Sequence, residues 1–222
     1  MDRNAYRPHS AALCLCALLA ACGRSSPPLA QTAYVTAPEI VQPPAQLYGN
    51  DWMYSSQANG NEATVYKRNK HGLTPFETLY PNINAPQGTI ATPDGWWYLT
   101  NGGHANVLIY RSTRRGPKGP VDSLADAGAL PVNVALTADR EIVAVSNGTT
   151  AASGTGSVSV YLHRQHNPTR VLAYGRSIVE GQGVTIDRHG NCYWSFNDVS
   201  KPEYGGEIVA FTRCAGSSGA PH

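Results

Sequence analysis

Charge is scarce in this chain. Only 14% of its 222 residues are Asp, Glu, Lys or Arg, and the net charge is +2. Arg114, Arg115 and Lys118 form the single basic cluster, inside a Gly/Pro loop. A nucleic-acid-binding surface needs a much stronger basic stripe, so no nucleic acid is expected as a partner. Amphipathic helical stretches are almost absent. The chain also lacks a Gly-x-Ser-x-Gly elbow, a phosphate loop and any Cys/His metal spacing. Those gaps leave the common hydrolase, nucleotide-binding and zinc-site classes without a foothold.

What the chain has instead is Gly (22), Pro (16), Tyr (12) and Trp (4). Turn formers mixed with strand-favouring aromatics read as short strands joined by tight turns. The first segment is different. Met1–His9 carries Arg3 and Arg7, and Ser10–Ala21 is almost wholly small or apolar. These are the charged and apolar regions of a secretory signal, too short to span a bilayer.

The segment ends in Leu19-Ala20-Ala21-Cys22, which resembles the lipobox of bacterial lipoproteins. The resemblance implies cleavage before Cys22 and a membrane partner reached through lipid on that Cys. With Gly23 rather than Asp following, it also implies an exported, lipid-anchored protein of the cell envelope, at an outer membrane or the cell surface. A plain signal peptide cut nearby, or after Ala30, is the alternative. Cys14 and Cys16 leave with the signal, so Cys192 and Cys214 remain for an oxidising compartment, as a disulfide or as two separate buried thiols. Cys22–Gln46 is rich in Ser, Pro, Ala and Gln and reads as a flexible tether. The expected division is signal 1–21, tether 22–46, repeat domain 47–214 and disordered tail 215–222.

The repeat domain rests on internal similarity. Gly88–Thr100, Asn133–Val145 and Gly183–Ser195 align without a gap, and a partial copy lies at Gly49–Ser55. Each reads as strand, tight turn, strand, with turn chemistry at Pro93-Asp94-Gly95 and His189-Gly190-Asn191. A second element follows each copy and ends in an aromatic: Tyr66, Tyr110, Tyr161 and Phe211, spaced 44, 51 and 50 residues apart. Shorter strand-like pieces follow, as at Phe76–Tyr80 and Thr169–Ala173. Three or four strands in about 45–50 residues fit a propeller blade. The expected fold is all-β, a β-propeller-like array of about four short antiparallel blades, as a partial or small propeller.

Pro86-Gln87-Gly88, then Thr92-Pro93-Asp94-Gly95-Trp96-Trp97-Tyr98-Leu99-Thr100-Asn101, and Gly181-Gln182-Gly183 through Ser195 carry a resemblance to NHL-type and streptogramin-lyase-like propeller repeats. It covers most of Leu47–Phe211, and its motifs specify a blade rather than an activity. Those families generally close six or more blades. About four are present here, the first without a clear opening strand and the last stopping after Phe211. Either a small ring closes by pairing strands from the two ends, or the chain is an open arc; an arc would expose strand edges, which makes self-association through open blade edges an expectation.

Asp94, Asp139 and Asp187 are expected to be turn residues, and the repeated aromatics to pack blade on blade. The resemblance to streptogramin lyases implies a His and a Glu with a metal, for which His104 and Glu180 are the candidates. A resemblance to calcium-dependent lactonases of the gluconolactonase type implies a Ca or Mg ion held by hard oxygens. Asn101, Asn147, Glu180, Asn197 and Asp198 lie at strand ends where such ligands would sit, but neither site's motif is matched. The leading expectation is therefore a non-enzymatic binding or scaffold module. Asn101–Asn106, Asn147–Gly156 and Asn197–Gly206 would form its face for a protein or glycan. A metal-dependent lyase or lactonase is the alternative.

Overall fold

The computed structural model describes residues 52–113, 115–149, 155–174, 179–198 and 206–216. The expected signal, Cys22 and the tether lie outside the described residues. The expected tail at 215–222 begins too early. Ala215 packs against buried side chains, and Gly216 donates its amide to the Arg213 carbonyl, so both belong to the ordered turn after the last strand.

Four antiparallel meanders follow one another along the chain. The first holds β1 (Trp52–Gln57), β2 (Glu62–Asn69) and β3 (Gly72–Leu79). The second holds β4 (Pro86–Ala91), β5 (Trp96–Asn101), β6 (Asn106–Thr113) and β7 (Gly116–Ala125). The third holds β8 (Leu130–Leu136), β9 (Ile142–Gly148), β10 (Ser157–Leu162) and β11 (Arg170–Leu172). The fourth holds β12 (Val179–Ile186), β13 (Cys192–Asp198) and β14 (Gly206–Phe211). Among the described residues the only helical pieces are 3-10 turns at Ala58–Gly60 and Gly102–His104, and no helix is long and apolar enough to cross a membrane.

Register shows how the repeat works. Met53 faces Tyr66, Trp97 faces Tyr110, Val143 faces Tyr161 and Cys192 faces Phe211, so these are equivalent positions. The gap-free alignment needs one correction. The turn amide of Thr137 reaches the carbonyl of Ile142, whereas Thr92 reaches Trp96 and Asp187 reaches Asn191. The third sheet's turn thus holds one extra residue, and Val143 rather than Ile142 matches Trp97. The extra residue sits in a solvent-facing turn, where a longer loop costs little, so sequence spacing alone does not reveal it. The partial first copy is displaced as well, since Tyr54 rather than Trp52 matches Tyr98.

Side chains alternate between faces along a strand, and here both faces of the middle sheets are covered. Trp97, Leu99, Leu108 and Tyr110 pack toward the first sheet, against Ala63 and Tyr54. Tyr98, Val107 and Ile109 pack toward the third, against Val134, Val143, Val145 and Tyr161. Ala144, Val158 and Val160 pack toward the fourth, against Trp194, Val209 and Phe211. Tyr54 stacks on Trp97 at 4.2 Å between ring centres. Double coverage explains why Trp-Trp-Tyr-Leu in β5 is a continuous apolar run rather than an alternating one. Close approach of the inner strands depends on glycine. A Cβ on Gly88 would lie 2.6 Å from the Asn133 Cα, and one on Gly181 would lie 2.2 Å from the Asn147 carbonyl oxygen.

The end sheets differ, and the difference can be read position by position. Ile208 is equivalent to Val107 and Val158, both fully buried against the next sheet, yet Ile208 is 74% exposed. Tyr66, equivalent to the buried Tyr110, is half-buried because no sheet precedes the first among the described residues. Tyr110, Tyr161 and Phe211 therefore pack blade on blade and Tyr66 does not. One edge of β1 and one edge of β14 have no partner strand among the described residues. At the fourth sheet a Cys192–Cys214 disulfide ties the turn after β14 back to the start of β13.

Candidate functional site

The connections β5–β6, β9–β10 and β13–β14 lie at the same end of the sheets as the links between sheets, and the candidate binding residues fall there. Asn101 is fully buried. Its Oδ1 accepts the Asn84 amide at 2.6 Å, while its Nδ2 donates to the Asn82 carbonyl at 2.9 Å and to Asn106 Oδ1 at 2.8 Å. Every polar atom of this side chain is spent on fastening the link between the first and second sheets. Asn101 is scaffold rather than binding face.

Asn147 has the same place one sheet on, and its partners are different. Its Nδ2 donates to Ser157 Oγ at 3.2 Å and Ser159 Oγ at 3.0 Å, and Ser159 Oγ donates to Asp126 Oδ1 at 2.7 Å. Asp126 stands in the link between the second and third sheets and is 2% exposed. Asp126 Oδ2 and Asn147 Oδ1 are buried without a hydrogen-bond partner. Two orphaned acceptors are costly in a dry site. A proton on Asp126 converts one of them into a donor. Burial pushes the Asp126 carboxyl up to about 6, and the hydrogen bond from Ser159 offsets part of the rise. Nothing in the local sequence marks Asp126. Its Asp-Ala-Gly-Ala setting reads as an ordinary exposed turn, and only the fold folds it inward.

Of the other candidates, Glu180 and Asn197 are register partners on β12 and β13, with Glu180 exposed and Asn197 half-buried. Asp198 is buried at 2% exposure and holds an interaction within the fold. His104 is exposed in the 3-10 turn of the second sheet, with the third sheet standing between it and Glu180. The structure thus joins Glu180 to Asn197 and keeps His104 apart. A lactonase cation would need several hard oxygens converging. Asn101 is consumed, Asp198 is buried, and no three His, Cys, Asp or Glu side chains cluster among the described residues. Of these candidate donors, Asn147 keeps a buried Oδ1 without a hydrogen-bond partner. Residues 150–154 and 199–205 of the expected face lie outside the described residues, as does the loop residue Arg114.

Asp187 Oδ1 accepts the amides of His189 and Asn191, and that hydrogen bonding holds its carboxyl down near 2. Asp139 accepts the Glu141 amide and the Thr137 hydroxyl. Both are turn residues. Asp94 also stands in its turn, and its carboxylate in addition pairs with Arg140 of the next sheet at 3.2 Å.

No protein-family model matches the chain, and no curated protein resembles it in sequence. Solved structures do resemble it in fold. Hydrazine synthase of Kuenenia stuttgartiensis superimposes with a TM-score of 0.59 at 13% identity, covering 78% of this chain and 46% of that one. A Bacteroides fragilis protein described as a "putative 6-phosphogluconolactonase" gives 0.60 at 12%, covering 78% and 53%. A Desulfotomaculum acetoxidans protein of unknown function gives 0.58 at 14%, covering 78% and 54%. The chain spans about half the length of these structures. The fold is all-β and of the propeller type, built here from four antiparallel sheets.

Asp126 yields a pH prediction. Its folded-state pKa stands above its ordinary value of 3.8, so between about pH 4 and 6 the folded chain keeps a proton that the unfolded chain has released. Stability falls as pH rises through that window, by about 3 kcal/mol in total, and is level above it. Asp126→Asn removes the charge and supplies an N–H, so it is more stable than the wild type at pH 7 and lacks the decline. Urea denaturation of both proteins from pH 4 to 8 checks this, and parallel stability curves would refute it.

Proposed function

We propose that the chain is an exported, lipid-anchored envelope protein whose propeller-type sheets serve as a non-enzymatic binding module. The observation that carries the binding reading is the locked end of the sheets. Asn101 fastens its inter-sheet link from within, and Asn147 holds Ser159, which donates to Asp126 of the next link, so the strand ends there form a rigid base. Preorganised surfaces lose less entropy on recognition. His104, Glu180 and Asn197 project from that base as contacts for a protein or glycan. Export and anchoring rest on the signal-like Met1–Ala21 and on Cys22.

The anchor has a direct test. In a bacterium that processes lipoproteins, radiolabelled palmitate enters the wild-type protein and not Cys22→Ala. An unlabelled wild type, or equal labelling of both, refutes the anchor.

Among the described residues the first and fourth sheets have an uncovered outer face and a free edge, and a second copy of the chain would cover Ile208 as a following sheet covers Val107 and Val158. Light scattering of the detergent-purified protein is expected to give a dimer mass. A monomer at tens of micromolar refutes this pairing.

The similarity in fold to two Bacteroides proteins each described as a "putative 6-phosphogluconolactonase" favours a lactonase as the second reading. Its test is turnover of a lactone panel with and without Ca²⁺ or Mg²⁺. The binding reading expects no turnover. Hydrolysis abolished by Glu180→Ala or His104→Ala would replace it with the enzyme.

A further inference from the structure

A recess of about 130 Å³ opens between the facing surfaces of the second and third sheets, close to the size of a cavity that holds one benzene-sized ring. Its walls are aromatic and aliphatic, with Trp96, Tyr98 and Tyr161 among them, and Arg140, Arg164 and Asp122 supply the charge. None of these belongs to the loops of the proposed binding face.

Arg140 occupies a position built for another residue. In the equivalent turns Gly95 and Gly190 adopt φ of +87° and +77°, the left-handed region that glycine enters freely. Arg140 holds φ +62° at that position. A side chain retained against backbone preference is a pointer to use, because such strain clusters at ligand sites. The guanidinium lies 4.8 Å from the Trp96 ring centre, with Arg111 at 4.7 Å from the same ring, and it pairs with Asp94. Its side chain is only 14% exposed. Arg164 approaches from the turn after β10. Burial pushes the Tyr98 phenol up, and the charges of Arg140 and Arg164 pull it back, which sets both cations near that hydroxyl.

The turn that carries Arg164 is held in the same manner. His163 and Arg164 both have positive φ, +49° and +60°. The His163 amide donates to the Glu141 carbonyl at 2.9 Å, and His163 Nδ1 lies 2.6 Å from Glu141 Oε2. Glu141 is the residue next to Arg140 in the turn that carries the extra residue. One insertion thus braces both arginine-bearing turns. Of the two nearby carboxylates, Asp94 is engaged by Arg140 and Asp122 lies 3.3 Å from His166 Nδ1. Arginine presents a fork of donors suited to a carboxylate and stacks on flat faces.

We propose that this recess binds a small ring compound bearing one carboxylate, with the ring against Tyr98, Trp96 and Tyr161 and the carboxylate on Arg140 and Arg164. The site is independent of the lipid anchor and of the loop face, so either can fail without the other.

The test is calorimetric titration of the full-length exported protein in detergent with 4-hydroxybenzoate and D-glucuronate, which separates an aromatic from a sugar source of the same chemistry. Methyl 4-hydroxybenzoate and D-glucose are the uncharged controls. At least one acid is expected to bind saturably, and its uncharged counterpart at least about tenfold more weakly. Arg140→Gly restores the residue of the sister turns, so its melting temperature stays equal or rises while affinity drops about tenfold or more. Should Arg140→Gly melt lower, Arg164→Ala decides, with the same loss of affinity expected. Absence of saturable binding by both acids, equal binding of acid and uncharged control, or full affinity in the deciding variant overturns the proposal.

Discussion

A β-sheet with apolar side chains on both faces has no stable existence alone in water. Each meander in this protein is of that kind, and face-to-face burial between successive sheets is the interaction on which everything else rests. Trp97 and Tyr98 are neighbours in sequence and point to opposite sheets, both almost fully buried. At about 25 cal/mol per Å² of apolar surface, an aromatic side chain buried in such an interface is worth several kcal/mol before its ordering cost. The stack is therefore cooperative from sheet to sheet, in the manner of repeat proteins. Among the described residues it also has two ends, where Met53, Tyr193 and Ile208 stay exposed at positions that are covered in the middle.

Polar chemistry follows from the same stacking. The links between sheets must cross an interface from which water is excluded, and their backbone groups need partners. Asn101 supplies both a donor and an acceptor to its link and leaves nothing unsatisfied. The next link is handled with a carboxylate, Asp126, and the supply of donors falls short. Two solutions to one structural problem, a single repeat apart, make one link indifferent to pH and the other responsive to it. The buried polar end is thus first a device for joining sheets. Residues that project beyond it, such as His104 and Glu180, carry whatever recognition occurs there.

Much of the fold was legible in the sequence because strand period, turn chemistry and repeat spacing all describe the same module. Phe211 and Tyr161 could be matched to Tyr110 by spacing alone, and the register agrees. Among the described residues both end sheets have three strands. The site was far less legible. Asn101 and Asn147 looked like surface loop residues, since sequence gives the end of a strand but not the link that folds over it. Asp126 sits in a stretch with no period and no motif, so its burial is purely tertiary. The extra turn residue at Glu141 stayed hidden because Ile142 and Val143 are both apolar, and either satisfies the pattern.

That hidden insertion bears on how such a scaffold diversifies. Turns at the far end of the sheets carry little of the packing energy, so a residue can be added or replaced there without disturbing the cores between sheets. Position 140 shows the consequence. Glycine is the residue that the backbone conformation favours, and the sister turns have it; arginine is present instead, stacked on a tryptophan of the neighbouring sheet. The strain is local, and the aromatic contact and the Asp94 pair offset it across the sheet boundary. A stack of near-identical modules therefore need not present near-identical surfaces. The interfaces set which side chains meet, and the turns, released from that duty, set the chemistry at the boundary between sheets.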